Sequence, residues 1–394
     1  MLTSLALIFL LGTLLGSIFL RFKLPALLGM LLTGIILGPY VLNLIDGNIL
    51  AISADLRQLA LVIILTRAGL ALDINDLKKV GRPAILMCFV PACFEIAGMM
   101  LLAPKLLSIS LLDAAIMGSV IAAVSPAVVV PRMLKLIEQG YGTDKSIPQL
   151  IMAGAAVDDV FVIVLFTSFT SLANGGSISP IQFAKIPFSI ILGVLVGIAL
   201  GLTLAWVFKK IHIRDSAKVL ILLSASFLLI ALEKAIESYV PMSGLLAVMA
   251  AGVAILRVSP VLAVRLSAKF SKLWVAAEIL LFVLVGATVD MQYAVSAGAK
   301  VIALLLAVLL FRVCGVFFCM LKTKLNGRER LFCMIAYLPK ATVQAAIGGL
   351  PLAMGLPCGP IVLTVAVLSI LITAPLGALG VDLTYRKLLS NPYT

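Results

Sequence analysis

The chain is a succession of long apolar stretches, thirteen in all, separated by short clusters of charge, proline or glycine. They lie at about 2–20, 25–43, 56–72, 83–104, 110–131, 148–171, 186–208, 217–236, 241–257, 273–289, 297–321, 330–350 and 358–380. A hydrocarbon layer about 30 Å thick is crossed by roughly 20 apolar residues in a helix. In lipid each backbone N–H and C=O must be satisfied internally, so only helices and closed barrels can span. Stretches of this length are helices. The expected fold is an all-α polytopic membrane protein of thirteen transmembrane helices, one domain over residues 1–394 with no soluble domain in its short loops. A hydrophobic content of 63% and a mean hydropathy of +1.23 fit that class and no globular one.

The net charge of +13 raises nucleic acid as a partner, but the distribution of the bases argues for topology instead. After the odd-numbered stretches come Arg21, Lys23; Lys78, Lys79, Arg82; Arg132, Lys135, Lys145; Lys209, Lys210, Arg214, Lys218; Arg257, Arg265, Lys269, Lys272; Lys322, Lys324, Arg328, Arg330; and Arg386, Lys387. The other side holds Arg57, Lys105, Lys185, Lys234 and Lys300. Basic loops stay in the cytoplasm. The C-terminus is therefore expected inside and the N-terminus outside, with Met1–Leu20 retained as the first helix. A multi-pass plasma-membrane protein is the expected location.

The six cysteines, Cys88, Cys93, Cys314, Cys319, Cys333 and Cys358, fall in or beside apolar stretches and read as small core residues. With a single histidine, His212, there is no zinc cluster and no nucleophile–base set. Enzymatic chemistry and a bound cofactor are not expected.

Two stretches are interrupted. The fifth contains Val124-Ser125-Pro126 and the twelfth contains Leu338-Pro339-Lys340-Ala-Thr342-Val-Gln344. Proline removes a backbone donor and clashes with the preceding turn. The carbonyls it frees are tolerated at this depth only where protein or a water-lined cavity meets them. An odd number of spans separates the two, so they run in opposite directions. Broken helices at matching places in inverted halves point to a secondary transporter's site. The expected repeats are about 25–171 and 241–380, with two discontinuous helices crossing. Lys340 is placed to neutralise carbonyl ends, as a structural or a functional group, and Ser125 and Thr342 can satisfy backbone groups.

Asp158 and Asp159 stand in the middle of the sixth stretch. Each carboxylate costs about 3 kcal/mol at a helix centre. Adjacent helical residues point about 100° apart, so one can face a cavity while the other faces a partner. Two carboxylates this close and out of water resist being ionised together. Such a site holds a proton or a cation in competition, which is the chemistry of exchange. The thirteenth stretch has no acid, so the carboxylate site exists once. Glu95 in the fourth stretch and Arg312 in the eleventh occupy matched positions and are expected to pair; the alternative sends Arg312 to Asp158 or Asp159. Arg67, Glu278 and Asp290 receive no role, with interfacial exposure expected for Glu278.

Ala155-Ala-Val-Asp158-Asp159-Val, Val124-Ser125-Pro126-Ala-Val-Val-Val-Pro131 and Leu338-Pro339-Lys340-Ala-Thr342-Val-Gln344-Ala-Ala-Ile-Gly348 resemble the monovalent cation/proton antiporter superfamily. The likeness is strongest to the NHA branch of sodium/proton antiporters in its bacterial-type form, and it covers the whole chain. The resemblance implies a mobile core of helices at about 83–171 and 297–380, a dimerisation scaffold formed by the rest, and an elevator movement in a homodimer. It implies Asp159 as the main sodium or lithium ligand and Asp158 as its partner. Related exchangers often carry a lysine where this chain has Arg312. Arginine barely deprotonates, which argues against a second transported proton. The alternatives on the same fold are a potassium/proton antiporter and a sodium-coupled organic-anion symporter. The latter would want more polar residues than Thr342 and Gln344 near the breaks.

Overall fold

A computed structural model of the chain describes residues 1–71, 81–174, 180–236, 240, 242–289 and 291–390. Lys78, Lys79 and Asp290 lie outside the described residues, as do the side chains of Lys185 and Lys234. Every described element is a helix. In chain order they are α1 Leu2–Arg21, α2 Ala26–Leu37, α3 Gly47–Ala51, α4 Ser53–Ala71, α5 Arg82–Met87, α6 Val90–Leu107, α7 Leu111–Ile121, α8 Pro126–Glu138 and α9 Ile147–Asn174. Then follow α10 Pro180–Lys210, α11 Asp215–Ile236, α12 Gly244–Val258, α13 Pro260–Ala287, α14 Met291–Cys319, α15 Gly327–Ala336, α16 Thr342–Ile347, α17 Leu350–Ala353 and α18 Gly359–Leu388.

All thirteen expected stretches overlap helix, yet among the described residues nine spans are long and apolar enough to cross a membrane unaided. The remainder are short or interrupted. Ala26–Leu37 and Gly244–Val258 have 12 and 15 residues. Thr342–Ala353 is the second half of a broken helix, and α4 carries Asp55, Arg57 and Arg67 among its apolar residues.

The chain divides into two compact units. The first comprises Met1–Ala54, Ile74–Phe169 and Ile279–Thr394. Both interruptions read from the sequence are present in it. The fifth stretch is α7 and α8, parted at residues 122–125, and the twelfth is α15 and α16, parted at 337–341. Each begins on a capping box. Ser110 accepts from the Asp113 N–H while Asp113 accepts from Ser110, and Asn326 and Glu329 repeat the arrangement. Reciprocal capping satisfies two otherwise orphaned donors, so each broken helix has a firmly fixed start. Salt bridges tie the ends of the unit together, Lys145 Nζ to Glu329 Oε1 at 2.7 Å and Arg132 Nη2 to Asp382 Oδ2 at 3.3 Å. Inside lies a core in which Met87, Val124, Ile151, Phe332 and Tyr337 are almost wholly buried.

The second unit comprises Asp55–Asp73 and Thr170–Glu278. Its closest packing joins α10 to α12, where Gly193, Gly197 and Gly201 lie against the backbone of Ser243, Ala247 and Ala251. Glycines at four-residue intervals let two membrane helices approach backbone to backbone. Glu278 is half-buried rather than freely exposed: Trp274 hydrogen-bonds to it, and Arg67 supplies a nearby positive charge.

Candidate functional site

The site is built where the two breaks meet. Where α7 ends, the Ile121 and Ala122 carbonyls lose their helical donors, because the Ser125 N–H is turned to the other break and Pro126 opens α8 with no N–H to give. Side chains from other helices take them up. Gln344 Nε2 donates to Ile121 O at 3.2 Å and to Ala123 O at 3.0 Å. Arg312 Nη1 donates to Ala122 O between them. The breaks also bond directly, Ser125 N–H to Pro339 O at 2.7 Å. The last helix makes room for this crossing at Gly377, where a Cβ would collide with the Pro339 ring.

Asp158 reaches the first break from α9. Its Oδ2 accepts from the Val124 N–H at 2.9 Å and from Arg312 Nη2 at 2.8 Å. Arg312 uses its whole fork: Nη1 also donates to Glu95 Oε2 at 2.8 Å, and Nε donates to Tyr337 O at 2.8 Å. The Tyr337 ring lies under the guanidinium at 5.0 Å, and its hydroxyl donates to Met87 O at 2.9 Å. Lys340 Nζ donates to the same Glu95 Oε2 at 2.7 Å. The result is a fully buried chain of charge running Asp158–Arg312–Glu95–Lys340. A planar guanidinium suits it because several carbonyl and carboxylate acceptors can be served at fixed angles.

The sequence left Arg312 a choice between Glu95 and the aspartates, and it binds both Glu95 and Asp158. Lys340 was expected on carbonyl ends; its ammonium sits on Glu95, and Gln344 and Arg312 serve the carbonyls instead. Ser125 and Thr342 were expected to satisfy backbone groups. Their hydroxyls lie 3.4 Å from each other, and Ser125 does not cap α8. Pro126 and Pro339 stand at the two breaks as expected. Asp159 is set apart from this lattice. It is half-buried where Asp158 is fully buried, and its shielded Oδ1 has no partner among the described residues. Asp158 Oδ1, Glu95 Oε1 and Gln344 Oε1 are likewise buried without a partner.

Residues 5–386 match the family described as sodium/hydrogen exchanger, transmembrane. The chain belongs to that family. The mouse protein named sodium/hydrogen exchanger 9B2 is 34% identical over 395 residues, covering 93% of this chain and 69% of its own length. Human sodium/hydrogen exchanger 9B1 is 32% identical over 391 residues, covering 94% and 73%. The solved structure of the sodium proton antiporter MjNhaP1 from Methanocaldococcus jannaschii superposes with a TM-score of 0.84 at 19% identity, covering 98% of each chain. That likeness shows a shared fold. Family membership makes this a membrane transporter and not an enzyme.

Thr373 is a site residue that sequence reasoning passed over. Its Oγ1 accepts from the Lys340 backbone N–H at 3.0 Å and donates to Ser369 O at 2.7 Å. The thirteenth stretch was read for acids, and a neutral acceptor in an apolar run gives no such signal. Tyr337 was also missed, although an aromatic hydroxyl beside a break was there to be noticed.

Proposed function

We propose that this chain exchanges sodium or lithium for protons across a membrane, with cation and proton competing for Asp159 and Asp158. The observation that carries the reading is the pair of buried carboxylate oxygens, Asp158 Oδ1 and Asp159 Oδ1, without a partner among the described residues and beside two crossing breaks. Unpaired oxygens of this kind suit a hard monovalent cation or a proton, since both need an anionic acceptor in a place without bulk water. The names of the 9B relatives as sodium/hydrogen exchangers and of the structural neighbour as a sodium proton antiporter support it. Among the described residues, no three acids, cysteines or histidines are placed to hold a metal ion together. Backbone carbonyls or water would therefore complete the shell around a transported ion, a weak arrangement suited to cargo that must leave.

The charge of the cluster bears on stoichiometry. Glu95, Asp158 and Asp159 set three acids against the two bases Arg312 and Lys340. One sodium or one proton neutralises the ionised cluster, so exchange is one for one and insensitive to membrane potential. No cofactor is required. The remaining parts of the reading are thirteen spans with the N-terminus outside and the C-terminus in the cytoplasm, a plasma-membrane location, and a homodimer. Its core, residues 83–171 and 297–380, moves against the scaffold as an elevator. The alternation of basic loops supports the orientation. Most of both core segments falls in one compact unit, together with Met1–Ala54 of the scaffold, which supports the two segments moving as one body.

The test is a pH-gradient assay in proteoliposomes with lithium, sodium and potassium, with and without a potassium–valinomycin clamp. Wild type is expected to dissipate the gradient on adding sodium or lithium, at the same rate with and without the clamp. Asp159→Asn is expected to abolish the response. Sodium-driven dissipation at the wild-type rate in that variant would refute the assignment. A response to potassium alone would change the cargo.

A further inference from the structure

Two residues in matched halves hold the two breaks by the same bond. In the first half, Asp158 accepts the backbone N–H of Val124. In the second, Thr373 accepts the backbone N–H of Lys340. The match is more than a likeness of geometry. Arg312 follows Glu95 by 217 positions, and Thr342 follows Ser125 by the same 217. Lys340 follows Val124, and Thr373 follows Asp158, by nearly that interval. The capping boxes at Ser110–Asp113 and Asn326–Glu329 keep the register as well.

We infer that Thr373 is the counterpart of Asp158 and a positioning residue for ion exchange, acting through the main chain of Lys340. Each break leaves a backbone donor in mid-membrane with no helical acceptor. An unmet donor in hydrocarbon is costly, so each half supplies an acceptor from the long helix after the broken one, α9 or α18. In the first half that acceptor is an anion. In the second it is a neutral hydroxyl that is 1% exposed and anchored on its own helix at Ser369 O. Lys340 is thereby held at both ends, its N–H by Thr373 and its ammonium by Glu95. The residues just before it serve the other break: Tyr337 O receives Arg312 Nε, and Pro339 O receives the Ser125 N–H. Releasing the Lys340 N–H lets residues 337–340 shift, and the shift is transmitted through Arg312 and Ser125 to the groups around Asp158. A site that is less preorganised binds its ion less tightly.

This inference rests on the reading of Asp158 and Asp159 as the cation site. The experiment measures sodium KM and maximal exchange rate in proteoliposomes for wild type and three Thr373 variants, with folded protein quantified by size-exclusion chromatography. Thr373→Val removes the hydroxyl at nearly constant shape and is expected to raise the sodium KM at least threefold, with a smaller change in maximal rate. Thr373→Ser keeps the hydroxyl and is expected within twofold of wild type. Thr373→Cys, a weak acceptor, is expected between them and serves if the valine variant fails to fold. A sodium KM unchanged in folded Thr373→Val or in Thr373→Cys overturns the inference. So does a serine variant as impaired as valine, which would make the methyl group the part that matters. Wild type with no sodium-dependent exchange would defeat the underlying transport reading instead.

Discussion

The two breaks are similar in backbone and opposite in chemistry. At residues 122–125 the Ala122 and Ala123 carbonyls and the Val124 and Ser125 N–H groups are met from outside the helix, and two of the partners, Asp158 and Arg312, are charged. At residues 337–341 the acceptor for the freed N–H is neutral, and the segment brings its own charge in Lys340. The first break is therefore next to negative charge that can attract a mobile ion. At the second, a lysine tied to the chain already occupies the equivalent role of positive charge. Inverted geometry does not require inverted chemistry: the acceptor is an aspartate in one half and a threonine in the other.

The comparison is broken most directly at Arg312, which serves both breaks. Arg312→Met leaves Asp158, Glu95, Ala122 O and Tyr337 O without that donor. Removing one partner of a buried charge pair costs about 3–5 kcal/mol. Loss of sodium-driven exchange and a lowered unfolding temperature in detergent are expected. A variant as stable as wild type would show that ionic contacts do not hold the first break.

Gln344→Leu sharpens the comparison by touching the first break alone. Two carbonyls lose their side-chain donor while the shape is roughly kept, and an unmet buried acceptor costs about 1–3 kcal/mol. A moderate fall in unfolding temperature is expected, with a raised sodium KM in the same assay. An unchanged KM would separate the carbonyl brace from ion binding. Smallest of all is Lys145→Met, which lies outside both breaks. Glu329 keeps its bond from the Asn326 N–H at 2.7 Å, so a loss of about 1 kcal/mol is expected with exchange kinetics unchanged. Altered kinetics here would mean that the breaks sense the ends of the unit as well as each other.

How much of this was legible in sequence depended on the kind of signal. Pro126 and Pro339 announced the breaks because proline's effect on a helix is local. Asp158, Asp159, Glu95 and Arg312 announced the site because a charge in an apolar run has no neutral explanation. What a side chain pairs with depends on where distant helices place it. Arg312 therefore had to be left between two partners, and Lys340 was assigned to carbonyls that Gln344 and Arg312 hold. The capping boxes were in reach: Ser110-Leu-Leu-Asp113 and Asn326-Gly-Arg-Glu329 are start signals for helices, and their shared register would have strengthened the repeat. Thr373 was not, since threonines in membrane helices commonly bond their own preceding turn and nothing marks the one that also reaches another chain segment. The span count was least secure where helices are short, at Ala26–Leu37 and Gly244–Val258.

One amide plane between Ala123 and Val124 has a mechanical consequence. Its oxygen is gripped by Gln344, and its N–H grips Asp158. A trans amide is rigid, with C=O and N–H directed to opposite sides, so it behaves as a crank with a load on each arm. Any turn that follows Asp158 as its carboxylate changes hands must drag on Gln344, and through it on α16. On the proposed reading, a change of ligand at Asp158 would reach the second broken helix as torque through this single peptide group.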